Sequence, residues 1–239
     1  MGSDLGDRTE EGRRALEEAR WAAAREAFES ILGEKETPEA LDGLGLALWF
    51  LGEVDEGVAA RERAVEGYAH TDRCDEAARL AVWVSHQHSI AGRASAARGW
   101  LARAERAVDR AGLCAGQGWV AAERARQAET VEESAEHARR ALEIARQTDG
   151  DALGVFAVSV LGRAEVSAGR IDEGMRLLEE AMAAASAGRV RNVHTLAEAY
   201  CNLIAASTSA GDWERATEWC ELVDEFARKH ETAPLYGSC

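Results

Sequence analysis

The sequence predicts an all-α fold, a solenoid of about six antiparallel helix hairpins, and three observations predict it. Apolar and small residues recur with the period of a helix. In the stretch 154–184, Val158, Leu161 and Gly162 fall at i, i+3 and i+4, and Ile171, Gly174, Leu178 and Ala181 resume the period after Gly169. A turn position recurs at Ala19, Gly52, Gly92, Thr130, Gly169 and Gly211, with spacings of 33, 40, 38, 39 and 42 residues. Five residues after each turn stands a small residue: Ala24, Gly57, Ala97, Ala135, Gly174 and Ala216. A period of 20–50 residues means stacked hairpins, none of which can bury its apolar face alone.

Taken in order, residues 1–9 are polar and expected to be disordered, and a single repeat domain follows over residues 10–230. The first hairpin, about 10–33, places Trp21, Ala24, Phe28 and Ile31 on its second helix; its first helix is short and charged, as a solubilising cap should be. The second, about 38–69, opens on Thr37-Pro38, a capping residue followed by proline where a helix N-terminus accepts it. Leu41, Leu44, Gly45 and Leu48 precede Gly52, and Gly57, Ala64 and Val65 follow it. The third, about 74–110, runs through Leu80, Val84, Ser85 and His88 to Gly92, then Ala97, Leu101 and Ala104. A connector from Gly112 to Gly118 leads to the fourth, about 117–147. This is the poorest match, since Glu123 stands at a small-residue position and Thr130 replaces the turn glycine. The fifth spans about 152–187 and the sixth about 192–230. After Lys229-His230 the chain reads ETAPLYGSC, in which Thr232, Pro234 and Leu235 read as the start of a further helix over 231–239. The chain is therefore expected to be a segment of a longer protein or to pack its end on a partner.

The pattern of small residue, aliphatic partners, turn glycine, small residue and apolar pair resembles the tetratricopeptide repeat (TPR). The long repeats, and the last hairpin CNLIAASTSAGDWERATEWCELVDEFARKH above all, are similar to the TPR sensing region of large LuxR-type (MalT-like) transcription regulators. The resemblance implies a right-handed superhelix with a concave groove lined by the first helix of each hairpin. It also implies recognition of a protein, a peptide or a small effector, with the DNA-binding helix-turn-helix outside this stretch.

Composition narrows the function further. A net charge of −15 opposes binding to nucleic acid through its phosphates and to anionic membranes. No apolar run approaches 18 residues and no signal peptide opens the chain, so a cytoplasmic location is expected. Five scattered cysteines (74, 114, 201, 220 and 239) form no CxxC or Cys/His cluster. They read as free thiols in a reducing compartment, with Cys220 packed inward. His86 and His88 are two apart and point to different sides of a helix, against shared metal ligation. The acidic pairs Glu132-Glu133, Asp172-Glu173 and Glu179-Glu180 fall in first turns or on solvated faces. No nucleophile motif or phosphate loop occurs. The chain is read as no enzyme, with no cofactor.

In the register of the resemblance, Trp21, Trp119 and Trp213 take structural positions, whereas Leu46, Trp49 and Phe50 offer an apolar platform on the groove face. Six residues before successive turns stand Leu46, His86, Arg124, Arg163 and Ala205, so three consecutive repeats present a cationic or ionisable side chain. Ser89, Gln127 and Ser159 neighbour them. The ligand expected is an acidic peptide or effector with an apolar anchor. A scaffold that joins two proteins, an accessory domain of a larger enzyme and homo-oligomerisation are the alternatives.

Overall fold

Each turn position joins two helices. The computed structural model describes residues 2–148, 150–185 and 193–229, and these hold twelve α-helices and no strand. They pair as α1 (Gly2–Glu17) with α2 (Trp21–Leu32), α3 (Pro38–Phe50) with α4 (Val54–His70) and α5 (Cys74–Ile90) with α6 (Ala94–Val108). The remaining pairs are α7 (Ala115–Gln127) with α8 (Val131–Gln147), α9 (Asp151–Ser167) with α10 (Ile171–Ala184) and α11 (Val193–Ser209) with α12 (Trp213–Lys229). The chain divides between Ala111 and Gly112 into two compact units, the first holding α1–α6 and the second α7–α12. Residues 231–239, read as the start of a further helix, lie outside the described residues.

Five turns close in one way. Gly169 has φ +81°, a left-handed conformation, and the Arg170 N–H donates to the Glu165 carbonyl at 3.0 Å, satisfying an orphan carbonyl of α9. The same bond runs from Glu53 to Leu48, Arg93 to His88, Asp212 to Ser207 and Arg20 to Ala15, over Gly52, Gly92, Gly211 and, at φ +56°, Ala19. The fourth hairpin differs. Thr130 has φ −120° and caps α8 instead, its hydroxyl accepting from the Glu133 N–H at 3.2 Å.

The N-terminus corrects the expectation of a disordered segment over residues 1–9, because α1 is helical from Gly2 and 16 residues long. Leu5 packs on the first hydrophobic cluster, and Arg8 donates to Ser30 Oγ at 3.1 Å and to Glu34 Oε2 at 2.9 Å. These contacts across the hairpin hold a segment whose own sequence is polar. In that cluster Phe28 is fully buried against Gly12 of α1 and Gly43 of α3; a Cβ at either would stand 2.7 or 2.2 Å from Phe28 Cζ.

The first unit carries an aromatic stack. Trp21 and Phe50 lie with ring centroids 4.0 Å apart, Trp49 meets Phe50 at 5.0 Å and Trp83 at 6.0 Å, and Trp49 Nε1 donates to Gln87 Oε1 at 2.9 Å. Asp42 pairs with Arg61 Nη2 at 2.9 Å and with Arg79 Nη2 at 2.7 Å, while the Arg61 guanidinium stands 4.1 Å from the Trp83 ring. Burial pushes the Asp42 carboxyl up, but the two arginines outweigh it and hold the group below the usual carboxylate range. Burial pushes Arg61 down to about 10, against the pull of Asp42.

The second unit packs small side chains between α7, α8 and α9, with Ala121, Ala122, Ala125, Ala138 and Ala141 buried against Phe156 and Val160. Trp119 meets Phe156 at 5.2 Å, the structural role read for it. Trp213 departs from its expected role, being 66% exposed. Cys220 is likewise exposed rather than packed inward. Cys74 and Cys220 are free thiols, as the sequence reading expects.

At two hairpins the helix backbones touch. A Cβ on Gly162 would lie 2.8 Å from the Gly174 carbonyl oxygen, and one on Gly174 would lie 2.5 Å from that of Gly162. Gly162→Leu is therefore expected to destabilise the second unit by about 3 kcal/mol, at the top of the usual overpacking range. Chemical denaturation of the variant measures this, and a near-neutral result would mean the two backbones do not touch. In the first unit Asp42→Asn leaves two arginines without their shared carboxylate, and the loss expected is about 3–5 kcal/mol. Because the folded-state pKa of Asp42 is depressed, its contribution is present above the unfolded value, near 4, and is lost as pH falls through the folded value. An acid titration of unfolding should therefore show the wild type losing stability below about pH 4 and the Asn variant losing less. With the boundary at Gly112, calorimetry should resolve two transitions, and one sharp transition obeying two-state criteria would contradict that.

Candidate functional site

The second unit holds a cleft of about 330 Å³ between the end of α7, the start of α8, α9 and α11. Its construction begins at Glu123. In the register of the repeats this position takes a small residue, yet here it holds a carboxylate that is fully buried. A buried carboxylate needs partners. Arg126, one turn on along α7, donates to Glu123 Oε2 through Nε at 2.8 Å and through Nη2 as well. Gln127 donates to Glu123 Oε1 at 2.7 Å. Arg126 Nη1 continues to Glu198 Oε2 of α11 at 2.9 Å, and its guanidinium carbon stands 4.9 Å from the Phe156 ring. The Ser134 hydroxyl donates to the Ala125 carbonyl at 2.8 Å and fixes the start of α8 against the end of α7.

Arg163, on α9, faces the same cleft with Ser167. It is half-buried, and among the described residues it makes no hydrogen bond or ion pair. Burial lowers its pKa from the ordinary arginine value, as does the positive Arg126, against the attraction of Glu198 and Glu123. Arg126 engages the carboxylates of Glu123 and Glu198, whereas Arg163 bonds to neither of them, nor to Glu129, the exposed carboxylate in the cleft lining. The cleft thus holds a guanidinium that is poorly hydrated and unmatched, with the Ser167 and Ser209 hydroxyl groups in its lining.

The residues expected to line one groove fall in both units. Leu46, Trp49, Phe50 and His86 belong to the first, Arg124, Gln127, Ser159 and Arg163 to the second. Three of them are core rather than surface. Phe50 is fully buried under Trp21, Trp49 is 7% exposed with its indole N–H given to Gln87, and Ser159 is fully buried, donating to the Phe156 carbonyl and accepting from Asn202 Nδ2 at 2.9 Å. The aromatic platform read from Trp49 and Phe50 is therefore part of the packing. Leu46 and His86 are half-buried, as is Gln127, which serves Glu123; Arg124 is exposed. Of the eight, Arg163 lines the cleft. Arg126 and Glu198 escaped the sequence reading. The signal for Arg126 was present, an arginine three residues after a glutamate at a position that should be small.

No protein-family model matches the sequence, and no curated protein matches it. Among solved structures the chain is similar to a signal transduction ATPase with numerous domains carrying a tetratricopeptide repeat sensor, from Pyrococcus horikoshii. The identity is 16% and the TM-score 0.57, over 95% of this chain and 34% of that one, so the chain spans about a third of its length. It is also similar to BtubC (BKLC) from P. vanneervenii, at 18% identity and TM-score 0.50, over 95% of this chain and 92% of that one. At such identities the likeness bears on the fold alone, and the fold is the all-α, TPR-like helical repeat that the sequence predicts.

Proposed function

We propose that this chain is a non-enzymatic recognition module that binds an acidic group of a peptide, protein segment or small effector in the cleft of its second unit. Arg163 carries the reading: a half-buried guanidinium with no ion pair among the described residues, set beside a cation whose carboxylates are already engaged. An incoming carboxylate would accept a charge-assisted, two-pronged bond from it. The Ser167 hydroxyl lines the same space, as does that of Ser209, whose proton is given to the Ala205 carbonyl at 2.8 Å. The module would serve as the sensing array of a larger regulator in the cytoplasm. The likeness to a signal transduction protein with a TPR sensor supports that setting, and the similarity of the last hairpin to LuxR-type regulators points to transcription as the output.

The probe is a synthetic peptide with two glutamates beside a leucine, titrated calorimetrically into the intact chain. Binding should weaken as salt is raised. Arg163→Ala should lose about 1.5–3 kcal/mol of affinity, the range for a hydrogen bond to a charged group, while Arg124→Ala at an exposed position should change little. Equal affinity of the wild type and Arg163→Ala, with helical content preserved, would remove the cleft from the reading.

A further inference from the structure

The first unit contains a larger cavity, of about 540 Å³, between α4, the turn after it, the start of α5, and α6. Helical spacing explains its chemistry. Arg103 and Arg106 occupy i and i+3 of α6 and so share one face, Arg110 stands in the turn after it, and all three line the cavity. Arg103 is held at the side, its Nη1 3.5 Å from Glu66 Oε1 and its guanidinium carbon 5.1 Å from the Trp100 ring. Arg106 and Arg110 make no ion pair or hydrogen bond among the described residues. The lining carries one carboxylate, Asp72. Three like charges on adjacent turns repel one another, and here they do so in a chain whose net charge is −15. The opposite wall is apolar, with Val65 and Ala69 of α4 and Ala77 of α5.

We propose that this cavity is a binding site for a small phosphate-bearing molecule, its phosphate held by Arg106 and Arg110 with Arg103 beside them and its apolar body against α4. Arg106, in the last turn of α6, and Arg110, in the turn that follows it, both stand exposed at the cavity, where their long side chains can converge on one phosphate. A phosphate presents more acceptor oxygens and more charge than a carboxylate, so it can engage more than one guanidinium fork. The cavity volume lies within the range of small-molecule pockets, about 300–1,000 Å³. The site lies in the first unit and is independent of the Arg163 cleft.

Cys74 supplies the readout, because this half-buried free thiol lines the cavity, its Sγ 3.6 Å from the Asp72 carbonyl. Inorganic pyrophosphate is the probe. The intact chain is alkylated with iodoacetamide, and peptide mass spectrometry follows Cys74 and the exposed Cys220 separately. Pyrophosphate should slow Cys74 alkylation several-fold and leave Cys220 unchanged. In calorimetry the double variant Arg106→Gln, Arg110→Gln should bind pyrophosphate at least tenfold more weakly and lose the protection of Cys74. Arg98→Gln, an exposed arginine on the same helix outside the lining, should bind as the wild type does. Alkylation of Cys74 at an undiminished rate under millimolar pyrophosphate overturns the proposal, and needs no variant to fold. So does an Arg98→Gln effect as large as that of the double variant, which would mean unspecific charge attraction. Citrate protecting Cys74 as well as pyrophosphate would overturn the choice of phosphate.

Discussion

Where two hairpin helices let their backbones meet, the rest of each hairpin is fixed. Gly45 and Gly57 face each other in the second hairpin as Gly162 and Gly174 do in the fifth, each leaving less than 3 Å between a carbonyl oxygen and the place a Cβ would occupy. The contact lies at one offset from the turn, so turn and contact together allow a single register. Side chains then follow from it. Arg61 reaches Asp42 along the space Gly45 leaves, since a Cβ there would stand 2.6 Å from Arg61 Cγ. In the third hairpin Ser85 takes the position of Gly45, and its hydroxyl donates to the Ala97 carbonyl at 2.8 Å, so the close approach becomes a hydrogen bond.

The fourth hairpin breaks this rule and acquires its chemistry by doing so. Glu123 occupies the small-residue position, and Thr130 caps a helix where the other hairpins use a left-handed turn. A fully buried carboxylate would be costly alone, and Arg126 and Gln127 are what make it tolerable. Arg126 in turn requires Glu198, which ties α7 to α11 across the intervening hairpin. Buried ion pairs contribute little net stability relative to apolar packing. Their effect here is geometric: a polar interior next to α9, into which Arg163 projects its charge.

The period, the turns and the small residues were legible because each is set by contacts within a few residues of chain. Which residues of the first helices face solvent was not. Phe50 reads as groove surface from its own hairpin, but its cover is Trp21 of the hairpin before it. Ser159 is hidden by Asn202 of the hairpin after it. Such covers come from 29 or 43 residues away, beyond what helical periodicity reports. Trp213 shows the converse. It stands in the register of Trp21, yet it is exposed, and no ring among the described residues stacks on it. Arg8 similarly orders an N-terminal segment whose composition alone reads as unstructured.

Arginine illustrates why a residue count could not locate the site. Nearly all basic residues in this chain are arginines, and many are structural. Arg61 and Arg79 share Asp42, while Arg139 and Arg170 both reach the buried carboxylate of Glu165 and join α8 to the turn after α9. In each case a carboxylate with two oxygens is divided between two guanidinium groups, so positive charge is locally in excess and is tolerated because every fork has an oxygen. The second-unit cleft departs from that arrangement. There one arginine holds two carboxylates, and its neighbour Arg163 has none, although the attraction of Glu123 and Glu198 still reaches it. A guanidinium in that position is kept near carboxylates it does not touch, and an anion entering the cleft would supply the contact that the fold withholds.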